Sequence, residues 1–374
     1  MQTTLGQARP RSAIERMLRG RWIGKVLLLV LLGYAVWAIG RQAVQAPALF
    51  VEQVKNGLQL GFVYAMIALG YTMVYGIVRL INFAHGDVFM VGAFVSYFAI
   101  SRAQLHLWLA SLAPGLPAGL SLMVGTLTVI LLAMITCAFL AVVIERVAYK
   151  PLRTAPRISA LITAIGVSFF LEYFGALDFV FSPDFITYTR PFPVQVWYIK
   201  GGIHALVPGT EAPGGSILFS NIFIIIALSS IFLLILLNYI VRRTKVGRAM
   251  RAVAYDKPTA RLMGINVDGI ISITFAIGAA LAGAGGVLYA IAFPSIVFWM
   301  GIIPGLKAFV AAVLGGIGSI PGAFLGAMIM GQAEALSSAY ISTPMRDAIA
   351  FAILILVLLV RPTGLLGEVE REKA

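Results

Sequence analysis

Five unbroken apolar runs, each 20 to 24 residues long, restrict this chain more than any other feature of its sequence. They cover Leu58–Ile77, Leu122–Ile144, Ile158–Phe181, Leu218–Val241 and Ile270–Phe293. A helix rises about 1.5 Å per residue, so about 20 apolar residues match the hydrocarbon core of a bilayer. Composition agrees: 60% of residues are hydrophobic and 11% are charged, against about a quarter charged in soluble domains. Such a chain cannot cover a water-facing surface, and lipid is its expected solvent. Shorter or more glycine-rich runs lie near Val26–Ile39, Val88–Ser101, Gly305–Gly318, Pro321–Leu336 and Ala348–Val360. The fold class expected is all-α: a polytopic transmembrane helix bundle of about ten membrane segments. The pair between Gly305 and Leu336 is open to a re-entrant reading, which bilayer physics tolerates only where protein buries the backbone.

Charge sets the orientation. With the N-terminus in the cytoplasm and every run crossing, the inner segments hold 21 of the 28 Lys and Arg residues. The outer side keeps Arg41, Lys55, Arg102, Arg190, Lys200, Lys307 and Arg346. Positive loops resist translocation, so both termini are expected to be cytoplasmic. The same bias accounts for the net charge of +13 without nucleic acid. One cysteine, Cys137, and three scattered histidines, His85, His106 and His204, exclude a disulfide framework and argue against a metal centre. No cofactor is expected.

The organisation expected is a polar basic extension over 1–24, one membrane domain over 25–362 and a cytoplasmic tail over 363–374. Within the extension, Ser12–Leu18 suits a short surface-lying helix. The first apolar run reads as an uncleaved helix rather than a signal peptide, because its basic leader is long. Two loops are sizeable: an extracytoplasmic one at 182–216, rich in Pro and Gly and long enough to shape a docking surface, and a cytoplasmic one at 242–269. Leu58–Phe94 and Ile277–Phe324 echo each other faintly, as internal repeats do in transporters. Many of the 38 glycines sit inside apolar runs, where small residues let helices approach closely. Packing alone and low-friction rocking of helices both fit that placement.

Polar residues that interrupt apolar runs are functional candidates. Asn82, His85 and Asp87 fall in a tight turn between two runs. There Asp87 suits capping the following helix, favourable by about 0.3–1 kcal/mol at an exposed site; a pore-facing gate is the second role. Among the acids inside runs, Glu172 lies deepest and is a pathway candidate, or else it pairs with Tyr173 or a facing helix. Asp178 sits nearer an interface, and Glu334 lies near the end of its run.

The cytoplasmic loop carries the sharpest local signal. Asp256 suits an N-cap, Pro258 the first turn and Gly264 a C-terminal stop. The spacing predicts a helix of about two turns through Thr259, Ala260 and Arg261 that exposes Leu262 and Met263. Helices this short are marginal in water and need something to pack against. Anchoring on anionic lipid and insertion into a groove of a cytoplasmic partner both fit, and the second explains the exposed apolar pair. The chain carries no phosphate-cradling loop; Gly20-Arg21-Trp22-Ile23-Gly24-Lys25-Val26 fails in spacing and in its last residue. It also lacks a nucleophile elbow and a zinc-protease helix, so it is not expected to be an enzyme.

Several segments resemble a known family. Ala68-Leu69-Gly70-Tyr71-Thr72-Met73-Val74-Tyr75-Gly76-Ile77 with Ile81-Asn82-Phe83-Ala84-His85-Gly86-Asp87 is similar to the branched-chain amino acid ABC importer permeases. So are Glu145-Arg146-Val147-Ala148-Tyr149-Lys150-Pro151-Leu152-Arg153, Gly247-Arg248-Ala249-Met250-Arg251-Ala252 and Gly315-Gly316-Ile317-Gly318-Ser319. The resemblance spans Val54 to Gly367 and is closest to the smaller of the two paired permeases. It implies a transport subunit of a bacterial inner-membrane importer. The implied partners are cytoplasmic ATPase subunits, a second homologous permease and a periplasmic substrate-binding protein. In the wider permease pattern an acid and two alanines precede three variable residues and a glycine; here Ala260 and Gly264 match and the acid does not. The pore candidates Asn82, His85, Asp87 and Glu172 come from their own chemistry, not from that pattern. A same-family permease for urea or short amides, and a stand-alone secondary transporter or channel, are the competing expectations. The orientation has a direct check: a cysteine at Thr259 should resist an impermeant thiol reagent in intact cells and react once the membrane is opened.

Overall fold

The computed structural model describes residues 33–34, 37–79, 82–153, 155–207, 209–361 and 363–367. The extension 1–24, most of the run Val26–Ile39 and the end of the tail lie outside the described residues, together with the expectations placed on them.

Helix α1 (Pro47–Val78) is 32 residues long. It begins eleven residues before its apolar run, because Glu52 and Lys55 interrupt hydropathy without interrupting helix formation, and Pro47 suits a first turn. A tight turn leads to α2 (His85–Ser101), which bends by 61° into a short helical segment at Leu105–Leu112. Helix α3 (Ala118–Ile144) continues through a π-helical turn at Glu145–Tyr149 and a 3₁₀ turn at Lys150–Leu152. Pro151, which lacks an N–H, suits that last turn and cannot carry the helix onward. Helix α4 (Arg157–Gly175) follows and stops short of Asp178, which is exposed in the turns beyond it.

The stretch 182–216 departs from the all-α expectation. Strands β1 (Ile186–Thr187), β2 (Val196–Ile199), β3 (Ile203–Ala205) and β4 (Ile217–Ser220) lie in and after it. β2 is central in an antiparallel sheet of order β3-β2-β4, with Tyr198 opposite His204 and Trp197 opposite Phe219. Aromatic and β-branched residues favour this pairing. β1 pairs with β5 (Ser295–Ile296) far along the chain.

Six further helices complete the bundle after β4. They are α5 (Asn221–Arg243), α6 (Lys245–Tyr255), α7 (Lys257–Leu262), α8 (Val267–Ala292), α9 (Ile302–Gly315) and α10 (Ile320–Tyr340). A final helix, α11 (Arg346–Val360), closes the described chain. Among the described residues, five helical segments are long and apolar enough to cross a membrane, or six if the bent pair counts as one span, and they overlap the five long runs of the sequence. Of the shorter runs, α9 and α11 have 14 and 15 residues, and α10 carries Gln332 and Glu334 within it.

The bundle is layered by burial. α1 and α8 are central, with 83% and 72% of their apolar windows buried, whereas α4 and α5 bury only 22%. On α5, Ile222, Ile226, Ser230, Leu233 and Leu237 face inward, while Leu228, Ile231, Phe232, Ile235 and Tyr239 point out. An apolar exterior of this kind suits lipid and would be unfavourable in water.

Where α1 crosses α10, backbone meets backbone. A Cβ added at Gly331 would lie 2.7 Å from Gly61 Cα and closer still to Gly57 O and Gly61 N. The obstacle is main chain, which cannot swing aside. Gly331→Ala should therefore cost about 1–3 kcal/mol of stability, read as a lower melting temperature of the purified protein. Gly119→Ala, with open space around its position, should leave melting unchanged.

Candidate functional site

The bundle encloses three sets of polar groups. The first is built by the turn between α1 and α2. Asn82, His85 and Asp87 are all buried there. Tyr149 Oη donates to Asn82 Oδ1 at 2.6 Å. The His85 ring meets Tyr71 edge-on, with centroids 4.7 Å apart, and its Nε2 lacks a hydrogen-bond partner among the described residues. Ser168 Oγ of α4 donates to Asp87 Oδ2, while Asp87 Oδ1 is buried without a partner.

Asp87 thus does lie in the first turn of α2, but not as an exposed cap. The N-cap is Ala84, and it makes no side-chain bond. Glycine is the reason: Gly86 packs on Gly301 and Gly305 at backbone distance, which draws the start of α2 into the protein. Glu172, also buried, stands four residues after Ser168 and so on the same face of α4. Its charge is felt at Asp87. Among the described residues no cation lies within ion-pair distance of either carboxylate. The structure therefore brings all four pore candidates to one region, with the Asn82 carbonyl accepting from His85 N at 3.1 Å and its side chain bonded to Tyr149.

Of the second set, the sequence singles out Glu334 alone. Lys307, counted there with the outer side, is 2% exposed inside α9. Its Nζ lies 2.7 Å from Glu334 Oε1 of α10 and 2.7 Å from Asp347 Oδ1 of α11. Tyr64 Oη of α1 donates to Glu334 Oε2 at 2.8 Å, and Arg346 approaches Glu334 at 3.7 Å. Four helices are thus tied through one buried ion pair. The available signal was a lone lysine in a glycine-rich apolar run, one acid away from neutrality.

The third set lies beneath α7. Glu145, fully buried in the π-helical turn, accepts from Ser272 Oγ of α8 at 2.7 Å and pairs with Arg153. Arg153 reaches on to Asp268 at 2.5 Å, and Asp268 also holds Lys150 at 3.1 Å and Arg261 of α7 at 3.8 Å. Glu145 went unremarked as a buried acid because it stands just past the end of its apolar run.

α7 itself has the expected form. Asp256 Oδ1 accepts from Thr259 N at 3.2 Å and Thr259 Oγ1 donates to Asp256 Oδ2 at 2.7 Å. Pro258 lies in the first turn, Ala260 is buried against the bundle, and Gly264 adopts φ +80°, a left-handed stop that glycine reaches without steric cost. Leu262 and Met263 are 88% and 78% exposed. Preceding it, α6 is an amphipathic helix; Thr244 Oγ1 accepts from Gly247 N at 3.1 Å to cap it.

Residues 53–358 match the family described as the permease component of branched-chain amino acid transport systems. The high-affinity branched-chain amino acid transport system permease protein LivH of Escherichia coli K12 is 43% identical over 328 residues, covering 87% of this chain and 97% of the relative. BraD of Pseudomonas aeruginosa, with the same description, is 40% identical over 87% of this chain and 98% of its own. A probable branched-chain amino acid permease LivH of Methanocaldococcus jannaschii is 27% identical over 81% and 88%. No solved structure matches.

The buried pair has a measurable consequence. Lys307→Met leaves the Glu334 carboxylate enclosed without its closest cation, which should cost about 3–5 kcal/mol. The double substitution Lys307→Met with Glu334→Met should recover most of that loss. Melting temperatures of the purified variants check both.

Proposed function

The chain belongs to the family of permease components of branched-chain amino acid transport systems, and on that premise we propose that it is the transmembrane permease subunit of an ATP-driven ABC importer. Its substrates are branched-chain or related amino acids, as the names of its relatives suggest. It sits in the inner membrane of a bacterium, beside a second homologous permease. A periplasmic protein delivers the solute, and separate cytoplasmic ATPase subunits supply the energy.

One observation carries the coupling half of this reading. α7 is a six-residue helix, pinned by its own cap and by Arg261, that holds two large apolar side chains almost wholly in the open. Burying them in a partner's groove would recover about 1.5–3 kcal/mol for each side chain, and a helix is a common shape for such an anchor. The residues from Asp256 to Gly264 are then the contact through which nucleotide-driven closure of the ATPase is transmitted.

The solute half rests on the carboxylates. Asp87 and Glu172 are both buried, and among the described residues no cation lies within ion-pair distance of either, an arrangement that favours an ammonium group over an anion. The α-ammonium of an amino acid is such a group. His85, packed against Tyr71 and Gly70 of α1 where that helix meets Gly278 of α8, is placed to move when α1 shifts, and Asn82 anchors the turn that carries it.

Leu262→Asp tests the coupling assignment cleanly, because its side chain supports nothing in the fold, whereas any side chain at Gly264 would strain the backbone. In vesicles holding the complete transporter, uptake driven by ATP should fall by about tenfold or more, with the subunit still inserted. Unchanged uptake would remove α7 from the coupling path.

A further inference from the structure

A cavity of about 510 Å³ opens beside α7, lined by Tyr75, Arg79, Glu145, Tyr149, Arg153 and Lys257 at its polar end. Its other walls are apolar: Val78, Leu152, Ile158, Leu161, Ile271 and Phe275. We propose that this cavity is a site for an anionic phospholipid, with the phosphate held at Arg79, Arg153 and Lys257 and an acyl chain lying along Ile158 and Leu161.

Charge is the first argument. Around this mouth stand Arg79, Lys150, Arg153, Lys257 and Arg261, against Glu145, Asp256 and Asp268, which leaves two positive charges in excess. Of the two acids that Arg153 meets, Asp268 is shared with Lys150 and Arg261, and Glu145 is taken by Arg153 and the Ser272 hydroxyl. Lys257 Nζ rests 3.5 Å from the carbonyl oxygen of Val78, at the end of α1. Partial enclosure of its ammonium, followed by the charges of Arg153, Arg79 and Arg261, holds it below the ordinary lysine value. A cation crowded by cations in a partly enclosed site is stabilised by an incoming anion, and a phosphate diester supplies that charge.

Shape is the second. The apolar walls do not close over the cavity: Ile158 is 67% exposed and Leu161 37% exposed. Both lie at the start of α4, the helix whose outer face carries Ile162, Ile165 and Phe169 into the surroundings. The apolar end of the cavity is therefore continuous with the lipid-facing side of the bundle, and a chain can leave the cavity without meeting a polar group. A free inorganic anion would use the basic mouth and leave those walls uncovered. Basic recesses between helices on the side that carries the positive loops are where lipid headgroups are recognised. The proposal needs only that the chain lies in a bilayer, so it stands or falls independently of the coupling role of α7.

The test uses the full-length chain in detergent, titrated with phosphatidylglycerol or with phosphatidylcholine of the same acyl chains and read by native mass spectrometry. The chain should retain phosphatidylglycerol in clear preference, and Lys257→Gln should weaken that retention by about fivefold, with a further fivefold for Arg79→Gln. Lys257 is exposed, so its single variant reports even if the double variant does not fold. Arg243→Gln, a cation on the same side but outside the cavity, should retain the lipid. Equal retention of the two lipids by the unaltered chain overturns the proposal, as does full retention by the folded Lys257→Gln variant. Inorganic phosphate that protects the lipid-free chain against heat as well as phosphatidylglycerol does would assign the mouth to a free anion and overturn it too.

Discussion

Backbone contact between helices is the constraint on which this molecule rests. Lipid offers helices no hydrophobic reason to associate, so attraction comes from close packing over small residues. α1 touches α10 at Gly331 and α8 at Gly70 and Gly278, in each case with no space for a side chain. A helix used this way cannot also carry polar groups at its crossings. Two of the three polar sets collect where regular structure ends or changes, at the turn before α2 and the π-helical turn after α3, while the third lies inside α9 and α10.

The two ionic networks obey one rule. Each holds one fully enclosed charge, Lys307 or Glu145, and leads from it to a partly exposed carboxylate, Asp347 or Asp268. Burying an isolated ion costs several kcal/mol, and a partner offsets that only when further bonds satisfy the remaining lone pairs and protons. Tyr64 supplies that for Glu334, and Ser272 supplies it for Glu145. The outer carboxylates keep part of their hydration, which lowers the total desolvation. Asp87 lacks such a chain of partners. Among the described residues its Oδ1 is buried with no hydrogen-bond partner.

Legibility in the sequence followed local physics. The long spans and α7 could be read directly, since hydropathy over 20 residues and a cap, proline and glycine in order are local signals. Leu262 and Met263 were recognisable as exposed for the same reason. The start of α1 was hidden by Glu52 and Lys55, because helix formation tolerates charges that hydropathy counts against. The sheet of β2, β3 and β4 depends on pairing across gaps that no window contains. Lys307 and Glu145 were missed since their burial is decided by residues 27 and 127 positions away, at Glu334 and Ser272. Asp87 was found, but its exposure was misjudged, because the glycines that bury it lie on α9 and in the turn before it.

The same contacts give a short mechanical route from the surface to the buried carboxylates. α7 ends at Leu262, and only residues 263 to 266 separate it from α8, whose N-cap is Asn266. Arg261 is tied to Asp268 in the first turn of α8, so the two helices are joined by charge as well as by chain. α8 then meets α1 at Gly278 and Gly70, and a side chain at Gly70 would collide with the His85 ring. α7 is thus joined to α8, and α8 meets α1 beside the turn that carries Asn82, His85 and Asp87, with main chain rather than interlocked side chains at the α1–α8 contact.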